Sequence, residues 1–228
     1  MSADSRIDKW IRWLEQAIQP QVIEMLHRRY VYEAVSEITK RNDSLPPSSV
    51  FDFISGTYAV TQSMAVRRQV EAGGRVVSLG TLLTEIANDP ERLTIEWYLA
   101  RGDNDDRRHF AHVWASTFAD EEMRFDPRRV LADLDTLTTT SSAVKQYVDT
   151  HLAHTDRKPL ASLPIMGDLN GAMDTIGELF HKYAGLLSGV HWATLVPVPQ
   201  GNWLAVFLEP WARDRDLLVE INSKHPFV

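Results

Sequence analysis

Two histidines lie three residues apart in the segment KQYVDTHLAHTD, residues 145–156, where a long helical pattern ends. Residues with this spacing share one face of an α-helix, so the imidazoles of His151 and His154 point to the same side. An imidazole titrates near neutral pH and can transfer protons, bind a metal ion, or interact as a cation with the free carbonyl groups at a helix end. The spacing leaves three interpretations open: a catalytic pair, a metal pair, or two polar residues that end a helix.

A second His-x-x-His pair, His109 and His112, gives the metal interpretation a definite form. Two such pairs on facing helices would supply nitrogen ligands to zinc or another divalent ion. The chain has no cysteine, which excludes disulfides, thiolate metal sites and cysteine nucleophiles. The candidate metal ligands are therefore His109, His112, His151 and His154. The other two interpretations require no cofactor.

The composition is that of an ordinary globular protein, with 228 residues, 44% hydrophobic residues and 24% charged residues. The net charge of −7 argues against a broad surface that coats nucleic acid. Basic residues cluster at 66–69 and 106–109, which leaves room for a local RNA site. The N-terminus lacks an apolar signal core, and no run of 18 apolar residues occurs, so we expect a cytoplasmic protein without a membrane partner.

Apolar residues at helical spacing predict helices through most of the chain. Asp126 and Pro127 form a typical helix start, an N-cap followed by proline at the first helical position, and the pattern then continues to the two histidines. Pro20 is expected to end or kink the first helix. The predicted helices cover about residues 5–18, 22–35, 50–71, 78–88, 91–100, 110–118, 127–152 and 166–188.

Long helices with short links favour a mainly α fold, an antiparallel helical bundle with additional short helices. The last part of the chain changes character, because residues 192–211 are aromatic and β-like but contain Pro197 and Pro199. We expect an extended segment or a small hairpin there. The predicted organisation is a bundle over residues 1–190 and a C-terminal extension, residues 191–228, packed on it.

The segment YVDTHLAHTD after a long helix resembles the Ala-His signature of HEPN domains, and is most similar to the abortive-infection, AbiU-like branch. Ala153, His154, Thr155 and Asp156 match the end of that signature. Residues 58–86, with an arginine pair and then Ser-Leu opening a leucine-rich helix, resemble an earlier helix of the family. The segment FLEPW, residues 207–211, is similar to the tail of the same branch.

The resemblance implies a homodimeric helical bundle of the phage-defence or toxin–antitoxin type that cleaves RNA without metal. It also implies an antitoxin or a nucleotidyltransferase as a partner. In the family motif an arginine precedes the histidine by four to six intervening residues. His154 would transfer a proton at the 2′-hydroxyl or the leaving oxygen, and the arginine would stabilise charge on the phosphate.

The chain departs from this motif, because those spacings before His154 reach Tyr147, Val148 and Asp149. Asp149 stands at the shortest spacing and is included among the candidate catalytic residues. The missing arginine is expected to come from the earlier helix, where Arg67 and Arg68 are the candidates.

Secondary candidates follow from the same spacing. Lys145 precedes His151 with five residues between them, a lysine variant of the motif, although lysine lacks the bidentate fork of arginine. Arg107 and His112 form the one formal match, and Asp156 follows His154 directly. The loss of the motif arginine favours a second function, a catalytically inactive HEPN-like module for binding and dimerisation. A metal-binding helical bundle is the third.

Overall fold

The computed structural model describes residues 3–42, 49–73, 75–100, 107–152, 163–208, 219–220 and 223–224, with the backbone alone for residues 3–5 and 107–110. These residues form helices α1 (Ala3–Trp13), α2 (Gln19–Arg41), α3 (Ser49–Val70), α4 (Leu79–Asn88), α5 (Ile95–Ala100), α6 (Arg107–Phe118), α7 (Pro127–Tyr147) and α8 (Met166–Ser188). The described residues contain no β-strand, only an isolated bridge between Ala119 and Phe125. The predicted mainly α fold is confirmed.

Two helices begin where their capping residues predict. The Asp126 carboxylate accepts a hydrogen bond from the Arg128 backbone N–H at 3.0 Å, and Pro127 is the first residue of α7. The Ser78 hydroxyl accepts one from the Thr81 backbone N–H at 3.0 Å, directly before α4. Both caps satisfy amide groups that have no partner inside the helix.

Pro20 lies in the first turn of α2, directly after a π-helical segment, Leu14–Ile18. The backbone N–H of Gln19 donates to the Leu14 carbonyl, five residues earlier. A proline in the first turn costs little, because the amide groups at a helix start have no carbonyl partner within the helix. The regular α-helix is therefore interrupted before Pro20, as predicted, and the backbone stays helical through the interruption.

The single helix predicted over residues 91–100 is wrong. A 3-10 turn, Pro90–Arg92, precedes α5, and Leu93 between them is fully buried. The Thr94 hydroxyl accepts a hydrogen bond from the Trp97 backbone N–H at 3.1 Å and so starts a new helix. Burial of Leu93 together with this cap breaks the helix that the spacing of apolar residues predicted.

The core lies where α7 packs against α3, α4 and α8, and α2 packs against both α8 and α3. The Tyr183 hydroxyl on α8 donates to the Asp133 carboxylate on α7 at 2.7 Å and ties these two helices together. The buried apolar side chains of α7 and α8 include Val130, Leu137, Val144, Leu169, Met173, Ile176, Phe180 and Leu187.

The C-terminal end of α3 is fixed by its contact with α4. A Cβ atom on Gly80 would lie 2.8 Å from the Val70 carbonyl oxygen and 2.9 Å from that of Glu71, so the two backbones meet there without a side chain between them. The buried Gln69 side chain accepts from the Leu79 backbone N–H at 3.2 Å and donates to Gln21 at 3.0 Å. This end of α3 carries Arg67 and Arg68.

The chain forms two compact units, residues 1–196 and residues 197–228. In the first unit, the Trp192 ring stacks on Phe180 with centroids 5.5 Å apart. In the second unit, Trp203–Leu208 forms a 3-10 helix. The predicted packing of residues 191–228 on the bundle stays a prediction. Among the described residues, no helix combines the length and the apolar character needed to cross a membrane.

Candidate functional site

Arg67 and Lys145 meet at a single carboxylate. Arg67 Nε on α3 lies 2.9 Å from Asp149 Oδ1, and Lys145 Nζ near the end of α7 lies 2.5 Å from Asp149 Oδ2. Arg67 Nη1 also lies 3.2 Å from Glu71 Oε2, one turn further along the chain. We call Arg67, Lys145 and Asp149 the anion cluster, because two cations here hold one anion. Lys145 and Asp149 are an i,i+4 pair, and the third member comes from a distant helix.

The anion cluster is open to solvent. The exposed fractions of the side chains are 38% for Arg67, 37% for Lys145 and 33% for Asp149. A polyanion could therefore reach both cations without unfolding of the bundle. Interactions between charges at this level of exposure are screened by water and salt, so each ion pair contributes little to stability, about 0.2–1 kcal/mol.

Asp149 and Arg67 stabilise each other's charged form. Burial alone would raise the pKa of Asp149, but hydrogen bonds from Lys145 and Arg67 outweigh it and hold that pKa below its ordinary value. The hydrogen bond from Arg67 to Asp149 likewise raises the pKa of Arg67, against a smaller opposing effect of burial. Both groups therefore remain charged at neutral pH.

Asp149 and His151 lie in a second π-helical segment, Val148–Leu152, which continues α7. In such segments the backbone N–H groups donate to the carbonyl five residues earlier instead of four, and the segments are often found at functional sites. Val144 and Val148, one turn apart, are buried, but Leu152, the next residue at the same spacing, is only partly buried. The π-helical segment begins at Val148, so Leu152 no longer lines up with Val144 and Val148 as it would in a continuous α-helix.

His151 is exposed at the end of this segment. Its ring stacks near that of Tyr147, with centroids 5.9 Å apart, and Nδ1 lies 3.1 Å from the Thr150 hydroxyl. An imidazole with an open edge is available for proton transfer. His151 thus lies at the surface, within the π-helical segment.

Several predicted residues lie outside what the structure describes. His154 and Asp156 lie outside the described residues, and so do the side chains of Arg107 and His109. His112 is exposed on α6. Among the side chains that are described, no group of three or more His, Asp or Glu is arranged to hold a metal ion. The formal Arg107–His112 motif and the site built from two His-x-x-His pairs stay predictions.

Only one of the two candidate arginines reaches the anion cluster. Arg68 is exposed and has no ion-pair partner in the part of the chain that the structure describes. Glu71 was not predicted, although its position four residues after Arg67 is a spacing typical of a helical ion pair. No local signal links Arg67 to Asp149, because they are 82 residues apart.

The two cations of the anion cluster are of the kinds that bind phosphate, and here they bind a carboxylate of the protein itself. Arginine and lysine both bind phosphate, and charge-assisted hydrogen bonds from them are stronger than neutral ones. A phosphate offers acceptor oxygens of the same kind as those of Asp149. Exchange of the carboxylate for a phosphate would keep both cations paired.

A family model for HEPN proteins of the AbiU2 type matches residues 7–206 of the chain. The matched range includes helices α2 to α8 and all the candidate site residues. No curated protein and no solved structure is significantly similar to the chain. The chain belongs to the AbiU2 family of HEPN proteins, the abortive-infection branch that the segment around His154 resembles.

Proposed function

We propose that this AbiU2-family protein is a ribonuclease of abortive infection that cleaves RNA without a metal ion. The observation that supports the proposal is the anion cluster, in which Arg67 and Lys145 meet Asp149 within five residues of His154 in the sequence. The cluster supplies the cations that phosphate binding needs, and the histidine supplies a group that titrates near neutral pH.

In the proposed reaction, the 2′-oxygen of a ribose attacks the adjacent phosphorus and the bond from phosphorus to the 5′-oxygen breaks. His154 removes the proton from the 2′-hydroxyl or returns one to the leaving oxygen. Arg67 and Lys145 stabilise the negative charge that builds on the phosphate. Before phosphate can bind, the ion pairs of Asp149 with Arg67 and Lys145 must break. The products are a 2′,3′-cyclic phosphate end and a 5′-hydroxyl end.

The test is cleavage of total cellular RNA and of tRNA by the purified protein in the presence of EDTA. Wild-type protein is expected to cleave, His154→Ala to lose cleavage, and His27→Ala on α2 to behave as wild type. Cleavage that disappears with EDTA would overturn the metal-independent reaction and favour the metal alternative. Cleavage that persists in His154→Ala would overturn the role of that histidine.

A second function, a catalytically inactive binding module, is favoured by one observation. Asp149 stands where the family motif has its arginine, and its carboxylate neutralises Arg67 instead of a phosphate. For such a module we expect RNA binding that Arg67→Ala weakens, with no cleavage of any RNA. An antitoxin or nucleotidyltransferase partner belongs to either function and would be sought by copurification.

A further inference from the structure

A cavity of about 670 Å³ lies between the segment 90–96, at the start of α5, and the loop that joins α6 to α7. Small-molecule sites in proteins typically have volumes of about 300–1,000 Å³. The buried part of its wall is apolar and consists of Leu93, Trp114 and Phe125, which are 0%, 1% and 8% exposed. The cavity shares no residue with the anion cluster, so it is a separate site.

Hydrogen bonds hold the loop that forms one wall of this cavity. Asp120 Oδ1 accepts from the backbone N–H groups of Glu122 and Arg124, each at 2.9 Å. The backbone N–H of Asp120 donates to the Arg124 carbonyl at 2.8 Å. Met123, which also lines the cavity, has a φ of 61°, a backbone conformation that is uncommon outside glycine. A wall fixed in this way loses little conformational freedom when a ligand enters, which favours binding.

Two carboxylates at the cavity have no cation to balance them. Glu91 and Glu96 line the cavity, are exposed, and have no ion-pair partner among the described residues. Arg124 also lines it, but its Nη2 lies 2.8 Å from Glu122 Oε2 and 3.3 Å from Asp120 Oδ2. These two carboxylates neutralise the guanidinium, and the charges of Glu91 and Glu96 remain. The cavity therefore favours a cation and disfavours phosphates and other anions.

The wall of the cavity also contains a hydrogen-bond donor that lacks an acceptor. The Nε1–H group of Trp114 is buried and has no hydrogen-bond partner in the part of the chain that the structure describes. Buried polar groups of native proteins are nearly always paired, because an unpaired donor is costly. An oxygen atom bound against Trp114 would supply the missing acceptor. A tryptophan combines an apolar ring with one N–H donor and is suited to such a contact.

We propose that this cavity binds a small organic cation that has an apolar body and an acceptor oxygen at the end opposite the charge. The charged end lies beside Glu91 and Glu96 at the exposed rim. The body packs against Leu93 and Phe125, and the oxygen accepts a hydrogen bond from Trp114 Nε1. Each part of the ligand thus matches one feature of the cavity. The proposal does not depend on RNA cleavage, because its test measures binding and not activity.

Isothermal titration calorimetry of the full chain at low ionic strength tests the ligand class with three compounds. para-Acetylbenzylamine carries the cation, the ring and the oxygen, and we expect a dissociation constant below about 1 mM. para-Isopropylbenzylamine has the same shape without the oxygen and should bind about tenfold more weakly. para-Acetylbenzoate carries the opposite charge and should not bind. Absence of binding by para-acetylbenzylamine overturns the proposal, and so does equal affinity for either of the other compounds.

Substitutions at the rim test whether the compound binds in this cavity. The double variant Glu91→Gln, Glu96→Gln removes both unbalanced charges and should weaken binding of para-acetylbenzylamine about tenfold. The double variant Asp135→Asn, Glu178→Gln is the matched control, because both carboxylates are exposed, without an ion-pair partner among the described residues, and outside the cavity lining. It changes the net charge equally and should leave the affinity within about twofold of wild type. Equal weakening by both double variants overturns the proposed site.

Trp114→Phe tests the hydrogen bond, because it keeps an aromatic ring and removes the N–H donor. We expect this variant to lose the preference for para-acetylbenzylamine over para-isopropylbenzylamine and to keep the preference for a cation over para-acetylbenzoate. A preference for the oxygen that persists in the variant overturns the role of Trp114. Thermal unfolding checks that the variant is folded. If it is not, the comparison of the compounds on wild-type protein and on the rim variants still decides.

Discussion

Arg67 and Asp149 are joined by a 2.9 Å hydrogen bond across 82 residues of sequence, from α3 to the π-helical end of α7. Asp149 stands at one of the three positions before His154 at which the family motif has an arginine. Arg67 on α3 brings an arginine to that carboxylate from a different helix.

The first prediction concerns Asp149→Asn, which keeps the side-chain shape and removes the charge that competes with phosphate. We expect the variant to bind single-stranded RNA about threefold to tenfold more tightly, because Arg67 and Lys145 no longer have a carboxylate partner. The dependence of affinity on salt should also steepen, by about 0.7 in the logarithmic slope for each additional phosphate contact. Fluorescence anisotropy in a His154→Ala background measures both effects without cleavage.

Asp174→Asn is the matched control for this experiment. Asp174 also binds an arginine, with 2.6 Å between its Oδ1 and Arg29 Nη1. Removal of its charge changes the net charge by the same amount but leaves the anion cluster intact. An equal gain in affinity from both variants would contradict a specific role for Asp149, since net charge alone would then account for the gain.

Asp149→Asn is also expected to change how the stability of the fold depends on pH. The pKa of Asp149 is lower in the folded chain than its ordinary value, so ionised Asp149 stabilises the fold above the unfolded pKa of about 3.9. That contribution is lost as pH falls through the lower folded value. Asp149→Asn should therefore cost about 1 kcal/mol at pH 7, an amount already reduced for solvent exposure, and progressively less below pH 4. Urea unfolding at several pH values measures the difference, and a constant difference would contradict the prediction.

Capping residues made the helix starts at Ser78 and Asp126 predictable, because the capping interaction is local in sequence. The break between Pro90 and Ile95 was not predicted, because it depends on burial of Leu93 in a core that forms only when distant helices meet. Periodicity reports which face of a helix is apolar. It does not report where tertiary packing divides one apolar run into two elements.

The candidate site was predictable in its residues more than in its contacts. Arg67, Lys145 and Asp149 were all predicted, two of them from the motif and its spacing, but their meeting at one carboxylate requires α3 to pass beside α7. The π-helical segment that contains His151 has no simple sequence signature, so the periodicity predicted one continuous α-helix over residues 127–152.

Gly80 gives the third prediction. A methyl group at this position would press on two carbonyl oxygens at the end of α3, both within 2.9 Å. Gly80→Ala should therefore destabilise the fold by about 1–3 kcal/mol, although alanine favours a helix more than glycine does. Gly171→Ala on α8 has no neighbour within 4 Å and should stabilise by about 0.5–1 kcal/mol. Urea unfolding measures the change in the free energy of unfolding for each variant. Changes of the same sign in both variants would contradict the close backbone contact at Gly80.

The last prediction concerns Tyr183, whose hydroxyl donates to Asp133 Oδ2 at 2.7 Å while Lys182 Nζ lies 2.6 Å from the same oxygen. Tyr183→Phe removes a hydrogen bond to a charged group and should cost about 1.5–3 kcal/mol at pH 7. Tyr32→Phe, which removes only a 3.3 Å contact with Ser55, should cost less.

Burial raises the pKa of Tyr183, and the negative charge of Asp133 adds to the increase. The tyrosine therefore stays protonated in the folded chain, and its contribution is complete below the unfolded pKa of about 10. Above that pH the unfolded chain gains by ionising, so the advantage of wild type over Tyr183→Phe should shrink as pH rises from 10 to 11. Urea unfolding across this range measures the change, and an advantage that grows with pH would show that the hydroxyl ionises inside the bundle.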